Sequence, residues 1–450
     1  MNLSIIILAA GQGTRMKSQL PKVLHPLAGC PMVKHVLDVA TQLQPTRLAL
    51  VVGYGAQQLR QVLGDEILYA EQLEQLGTGH AVLQARELLA GHAGTVLVLY
   101  GDTPFITHQT LETMLLHHTE NGAAVTLLTF RPDDPTGYGR ILRDGTGRVV
   151  GIVEHKEATS EQREIKGVNS GILCFRDAWL WPHLEGLQPK HGEYYLTDLV
   201  ELAVAEGEWV AAKEADAAEV MGLDDRVKLA KAEALMRQRI NEGWMLTGVT
   251  LLDPASTYIE VSVEIGQDTV IYPNTHLRGA TAIGHDCRLG PNTIICDSTV
   301  GNGCVIEASV VEGATMEDDV DVGPFAHLRK GAHLAKGVHV GNFGEIKNSY
   351  LGPDTKMGHF SYLGDATLGA NVNVGAGTIT CNYDGEQKHP TVIEDDVFIG
   401  SDTMLVAPVK VGKGAKTGAG AVVTRDVPPG QVVYGVPAKA KEEAGKVDKD

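Results

Sequence analysis

Between Ile265 and Val423 an aliphatic residue returns in steps of six, in several long series. The first series is Ile265, Ile271, Leu277, Ile283, Leu289 and Ile295. After a short slip come Val322, Leu328, Leu334, Val340 and Ile346, and later Ile393, Ile399, Leu405 and Val411. A period of six suits neither an α-helix nor the alternation of a strand. It suits a coil of three short flat faces, each turning one aliphatic side chain inward. One coil cannot bury its own inner face, so coils must stack as a solenoid. At the usual strand spacing, about nine coils make a parallel β-helical prism on the order of 40 Å tall. Gly often follows the aliphatic residue, as in Ile265-Gly266, Ile283-Gly284, Leu289-Gly290 and Val340-Gly341. The expectation is that it serves a corner where positive φ is needed. The beat lapses between Val374 and Ile393, and the polar stretch there is expected to leave the prism as a ligand-reaching loop. A β-sandwich with glycine-rich turns would not hold the beat over so many repeats.

The chain has 450 residues, which is too long for one ordinary core and predicts two domains. A net charge of −18 argues against a nucleic-acid partner or an anionic membrane surface. An anionic substrate must therefore meet a local basic cluster. The cysteines, Cys30, Cys174, Cys287, Cys296, Cys304 and Cys381, show no C-x-x-C pair or metal spacing. They read as free, buried thiols in a reducing cytoplasm. Leu3 to Ala10 lacks a basic lead and reads as a strand, not a signal peptide, and no run is long enough to span a bilayer. His327, His333 and His339 each precede an inward residue and fall on successive faces, so they point outward and predict no zinc site.

Ahead of the prism, Ser4 to Leu8 is expected to be a buried parallel strand by its continuous β-branched run of isoleucines. The turn Ala9-Ala-Gly-Gln-Gly-Thr-Arg15-Met16 follows, then Pro21-Lys22-Val-Leu24. Its small residues let backbone N–H groups approach a phosphate, and Arg15 and Lys22 add charge. It is neither a Walker loop nor a dinucleotide fingerprint. Strands at Leu48–Val52 and Thr95–Tyr100 end at Gly53 and at Gly101-Asp102. A carboxylate just past a strand's C-terminal end lies where open α/β sheets hold ligands, and it suits Mg²⁺ bridging phosphates. Between them, Glu71 to Ala81 opens a helix, and Gly77-Thr78 can approach a flat base or ribose. From Asp224 to about Gly243, apolar residues recur at helical spacing.

These segments, with Thr136-Gly-Tyr-Gly-Arg140, Ile152-Val-Glu-His-Lys156 and Gly192-Glu-Tyr-Tyr-Leu-Thr-Asp198, resemble a bacterial family. It is that of the bifunctional N-acetylglucosamine-1-phosphate uridylyltransferase/glucosamine-1-phosphate acetyltransferases. The resemblance implies an α/β Rossmann-like nucleotidyltransferase domain at 1–224, a helical linker at 225–250, and a left-handed parallel β-helix of hexapeptide repeats at 251–450. It implies uridine-nucleotide binding by Leu8, Ala9, Ala10, Gly11, Lys22, Gln72, Gly77, Thr78, Tyr100, Gly101, Asp102, Gly139, Glu154, Asn169 and Asp224. Arg15 and Lys22 would stabilise the phosphates, and Asp102 and Asp224 would hold Mg²⁺. The chain departs from the family at Gly222-Leu-Asp-Asp-Arg226, where the matching ligand is an Asn, so Asp224 adds a negative charge.

In the prism, Arg329 and Lys347 stand one full coil apart and are expected on one face as a phosphate site. His359 and Tyr362 arrive in the next coil. The resemblance continues over Gly358 to Asp365, Val372 to Gly385 and Val397 to Asp402. It implies that Arg329, Lys347, Tyr362 and Asn373 hold glucosamine 1-phosphate. It assigns Ala376, Asn382, Tyr383, Ser401 and Ala419 to acetyl-CoA, and makes His359 the general base. It further implies a homotrimer with sites between subunits, and a cytoplasmic enzyme using UTP and acetyl-CoA, with no nucleic acid or membrane insertion. A second departure is Gly435, where some relatives carry an Arg matched to CoA phosphate. The Glu- and Lys-rich tail after Ala440 is expected to be mobile. Two rival readings remain: a single-activity sugar nucleotidylyltransferase with an oligomerising β-helix, and a non-enzymatic scaffold.

Overall fold

The apolar run at the start of the chain forms β1 (Leu3–Ala9), buried along its whole length. It sits within a sheet whose further strands are β2 (Arg47–Val52), β3 (Leu68–Glu71), β4 (Thr95–Tyr100), β5 (Val125–Phe130), β6 (Arg140–Arg143), β7 (Val149–Val153), β8 (Val168–Arg176) and β9 (Val210–Glu214). Their order is β9-β5-β8-β4-β1-β2-β3, with the β6–β7 hairpin attached to β8. β8 runs antiparallel to β4 and β5, and β1 is parallel to both its neighbours. Ile5, Ile7, Leu97 and Leu99 enter one core, while Ile6, Leu8, Val96 and Val98 enter another on the opposite face. Both faces are covered, which is why the run shows no alternation. The chain steps outward from β1 to β2 and β3, then returns to β4 on the other side of β1. The carboxyl ends of β1 and β4 therefore flank a topological switch point, the preferred crevice of open α/β sheets.

This is a computed structural model that describes residues 2–440, so the tail after Ala440 lies outside the described residues. The chain divides into two compact units between Ala234 and Leu235, within a helix over Arg226–Leu246. From Thr250 onward it winds through three walls of stacked short strands, holding twelve, ten and nine strands. The stacking is parallel throughout except for the last pair, Val432–Tyr434 with Lys439–Ala440. The slip in the hexad has a structural counterpart: Val270 pairs with Arg288, but Ile294 pairs with Val310, a shorter turn. The inward aliphatics form one continuous core from Val249 to Val433.

Three details differ from expectation. First, the glycines after the inward aliphatics are there mainly for close approach. A Cβ on Gly266, Gly341 or Gly352 would fall 2.6, 2.0 or 2.5 Å from backbone of the next coil. Gly290 after Leu289 does take positive φ, +103, as expected; elsewhere positive φ falls on other glycines, such as Gly279 and Gly303, and on Asp and Asn, among them Asp268, Asn274, Asp286 and Asn371, whose short side chains tolerate it. Second, the lapse after Val374 is shorter than it looks. Ile379–Cys381 remains a wall strand, with Thr380 buried in the inward place of an aliphatic residue. The Thr380 hydroxyl accepts from the Gly364 N–H at 2.7 Å, so only the segment from Asn382 onward departs. Third, all six cysteines are free, but Cys30, Cys296 and Cys381 are only half-buried. Cys296 and Cys381 follow inward residues and so face outward. Cys287 and Cys304 fill a second, small inward position two residues before the aliphatic.

His327, His333 and His339 lie in three different walls, paired outward with Glu312, Glu317 and Asp321 at 3.2, 2.9 and 3.0 Å. Among the described residues no group of three or more His, Cys, Asp or Glu could hold a metal ion, and no helix is long and apolar enough to cross a membrane.

Candidate active sites

The crevice past β1 and β4 is a cavity of about 310 Å³. It brings together Leu8, Ala9, Ala10, Gly11, Lys22, Gln72, Gly77, Thr78, Tyr100 and Asp102, all singled out in the sequence. Val23, Gln75, Ala81, Glu193 and Tyr195 complete the lining. Glu193 and Tyr195 belong to the Gly192–Asp198 motif, whose place in the site is not apparent from its residues alone. Gln72 is buried, and its amide donates to the Gly77 carbonyl at 3.1 Å, holding that loop open to the cavity. Gly77 has φ +101, and a Cβ there would lie 2.6 Å from the Tyr194 carbonyl, so only glycine fits.

Gly139, Glu154 and Asn169 do not line the cavity but adjoin one another. The Asn169 N–H donates to the Gly139 carbonyl at 2.9 Å, and a Gly139 Cβ would lie 3.4 Å from Glu154 Oε1. Burial, with Glu157 and Asp198 nearby, pushes the Glu154 carboxyl above its ordinary value. Burial likewise raises the Tyr100 phenol, which bonds Thr78 and feels Asp102 and Glu154. Gly101 joins Tyr100 to Asp102 and donates its N–H to the Leu8 carbonyl at 3.0 Å.

Asp102 and Asp224 come from neighbouring segments, because the Leu223 N–H donates to the Asp102 carbonyl at 3.0 Å. Each carboxylate is met by cations. Lys22 pairs with Asp102, Arg15 with Asp224 at 2.8 Å, and Lys228 with Asp224 Oδ1 at 2.9 Å. Asp224 Oδ1 is buried and makes no hydrogen bond of good geometry. Two hard carboxylates, one with a poorly satisfied buried oxygen, fit a divalent cation that takes its other ligands from phosphates and water.

In the prism, Arg329 and Lys347 are side by side on the ten-strand wall, the Arg329 N–H donating to the Ile346 carbonyl at 2.8 Å. Arg329 is also paired with Glu345 at 2.7 Å. Sequence reasoning missed a third cation, Lys388, from the loop after Asn382. Lys388 first and Arg329 second hold the Lys347 ammonium below the usual lysine value. Tyr362 pairs with Glu345 in the next coil, on the same wall. Asn382 donates to Asp365 at 2.5 Å, and Tyr383 stands exposed beside it.

The remaining residues gather elsewhere. His359, Ala376, Ser401 and Ala419 stack along one prism edge, coil upon coil. The links are Gly377 N–H to Phe360 C=O at 2.7 Å, Asp402 N–H to Ala376 C=O at 2.6 Å, and Gly420 N–H to Ser401 C=O at 2.8 Å. His359 is exposed just before the strand Ser361–Gly364, whereas Lys347 pairs with Gly364 at its end. Asn373 is on the twelve-strand wall, between Lys356 and Phe398, and not with Arg329, Lys347 and Tyr362.

Residues 5–201 match the MobA-like NTP transferase domain, and residues 262–297 and 390–425 match the bacterial transferase hexapeptide repeat. The bifunctional protein GlmU of Exiguobacterium sibiricum is 52% identical, over 95% of this chain and 96% of its own length. The chain belongs to the GlmU family. The GlmU proteins of Heliobacterium modesticaldum and Enterococcus faecalis are 51% and 49% identical, over 94% and 91% of this chain and 93% and 90% of their own lengths. As a GlmU family member the chain is a bifunctional enzyme with uridylyltransferase and acetyltransferase activities. The GlmU pattern pairs an N-terminal nucleotidyltransferase domain with a C-terminal left-handed β-helix.

Proposed function

We propose that the prism acetylates glucosamine 1-phosphate with acetyl-CoA, and that the sheet unit then joins the product to the uridylyl group of UTP. The cluster of Arg329, Lys347 and Lys388 carries the first half of the reading, since three converging cations on a chain of net charge −18 call for an anion. Arg329 and Lys347 hold the sugar phosphate, with Tyr362 beside them. His359, exposed before its strand, accepts a proton as the sugar amine attacks the thioester carbonyl and the CoA sulfur leaves. Ala376, Ser401 and Ala419 present a flat edge to the cofactor, and Asn382 and Tyr383 reach it from the loop. His359 and the cations occupy opposite ends of one wall strand, and Asn373 another wall. That division supports a homotrimer in which facing copies complete each site.

In the sheet unit, Leu8 to Gly11, Gln72, Gly77, Thr78, Gly139, Glu154 and Asn169 hold the uridine nucleotide. A phosphate oxygen of N-acetylglucosamine 1-phosphate attacks the α-phosphorus of UTP, and pyrophosphate leaves. Lys22 and Arg15 shift from their carboxylate partners onto the phosphates and neutralise the developing charge. Asp102 and Asp224 would hold Mg²⁺, which supplies charge neutralisation at the phosphates. Free cysteines support a cytoplasmic setting.

The test is incubation with glucosamine 1-phosphate, acetyl-CoA, UTP and Mg²⁺, omitting each in turn. Thiol release without UTP, and pyrophosphate release only when acetylated sugar phosphate is present, is the expected pattern. Pyrophosphate release from folded enzyme that never releases thiol would favour a single-activity nucleotidylyltransferase. Thiol release by His359→Ala at the wild-type rate would overturn the assignment of the base.

A further inference from the structure

Asp224 is held by two cations that differ in how they are anchored. Arg15 belongs to the phosphate loop, and its side chain is 71% exposed and reaches Asp224 Oδ2 from outside. Lys228 stands one helical turn after Asp224, and its ammonium meets the other oxygen, Oδ1. The turn between them is fixed at both ends. Asp225 accepts from the Lys228 N–H at 2.8 Å, and the Arg226 guanidinium donates to the Met16 carbonyl at 3.3 Å. Arg15 can leave with a phosphate. Lys228 stands on the same turn as the carboxylate it neutralises, so its ammonium remains within reach of Asp224 when Arg15 departs.

We propose that Lys228 is a positioning residue that makes metal uptake depend on the nucleotide. This rests on the reading that Asp102 and Asp224 hold the divalent cation. With Lys228 beside it, Asp224 presents little net negative charge to a bare cation, and Lys22 masks Asp102 in the same way. A bare divalent ion must compete with two ammonium groups for two carboxylates. A nucleoside triphosphate brings enough negative charge to draw Arg15 and Lys22 away and to supply the missing oxygen ligands. The metal then enters together with the phosphates, and Lys228 stays to orient Asp224.

The experiment is calorimetric titration of the full-length protein with Mn²⁺, with and without UTP, for wild type, Lys228→Gln, Lys228→Arg, Asp224→Asn and the Asp224→Asn/Lys228→Gln double variant. The Lys228 side chain is 37% exposed. A screened pair of this kind predicts about fivefold tighter Mn²⁺ binding by Lys228→Gln without UTP, and a smaller gain with UTP. Lys228→Arg restores wild-type affinity, and the Lys228→Gln gain disappears in the Asp224→Asn background. A merely structural lysine would lower the unfolding temperature and leave Mn²⁺ affinity unchanged. Wild type that binds Mn²⁺ with UTP while Lys228→Gln matches it without UTP overturns the Lys228 assignment alone. Wild type that binds no Mn²⁺ even with UTP overturns the two-carboxylate site and this inference with it.

Discussion

Gly341→Ala places a methyl group 2.0 Å from the carbonyl oxygen of Gly358 and 2.5 Å from its carbon. The obstacle is backbone of the next coil, so no side-chain rotation relieves it. The coils must part locally by more than an ångström. The bond from Gly341 N–H to Met357 C=O and the one below it, from Gly323 N–H to Val340 C=O, both 2.8 Å, then weaken. Two ladder bonds at about 1 kcal/mol each, with an overpacking penalty of about 1–3 kcal/mol, give roughly 3–5 kcal/mol. For a unit of about 200 residues that is a fall of about 10 °C in unfolding temperature. Gly414→Ala is the matched comparison. Gly414 has φ +67 and no atom within 4 Å of the added carbon, so only left-handed strain remains. That strain costs about 1–2 kcal/mol. Scanning calorimetry of both variants measures the difference. Because the displaced residue is Gly358, thiol release by Gly341→Ala should fall while uridylyl transfer holds, as His359 moves with its neighbour. A Gly341→Ala protein no less stable than Gly414→Ala would refute the argument that this glycine marks close approach between coils.

Lys22→Ala should lower uridylyl transfer by about 10²–10³, the usual loss for one charge-stabilising group, and leave thiol release unchanged. Equal loss of both activities would mean the two sites are not separate. Lys388→Ala should raise KM for glucosamine 1-phosphate about tenfold with little change in kcat, the weight of one charge-assisted contact. It should also return the Lys347 ammonium toward its ordinary value, readable as an upward move of that group's titration. The Glu154 carboxyl is raised from 4.5 by burial, so the folded state binds its proton more tightly than the unfolded chain. Its contribution to stability is fullest below pH 4.5 and is lost as pH rises through the raised value. Glu154→Gln should therefore raise the unfolding temperature of the N-terminal unit at pH 7 and flatten its pH dependence, while weakening sugar-nucleotide binding. Thr380→Val keeps the shape but strands the Gly364 N–H, and should destabilise the prism by about 1–3 kcal/mol in a denaturant titration.

The prism was legible because a buried aliphatic every six residues suits a three-walled coil and neither a helix nor an alternating strand, and stacked walls follow from it directly. What the hexad could not show is how coils touch. An unfavourable close contact leaves the same letter in the sequence as a positive φ, so Gly341 after Val340 and Gly290 after Leu289, the latter with φ +103, look alike until the next coil is in place. Thr380 misled for a related reason. A buried hydroxyl satisfied by the Gly364 backbone occupies an aliphatic's place without its hydropathy, and the beat seems to stop. In the sheet unit, the loop residues were legible because small side chains and charges cluster where β1 and β4 end. The place of Glu193 and Tyr195 was not, since their motif lies more than ninety residues beyond β4 and nothing in its letters ties it to the cavity. Spacing by one coil predicts neighbours on a wall, and Arg329 and Lys347 follow that rule. Lys388 escapes it because its loop leaves the repeat, and Asn373 because one turn of the prism separates walls as readily as it joins them. A solenoid thus writes its walls into the period of the sequence and its sites into the departures from it, and those departures need the folded chain to be placed.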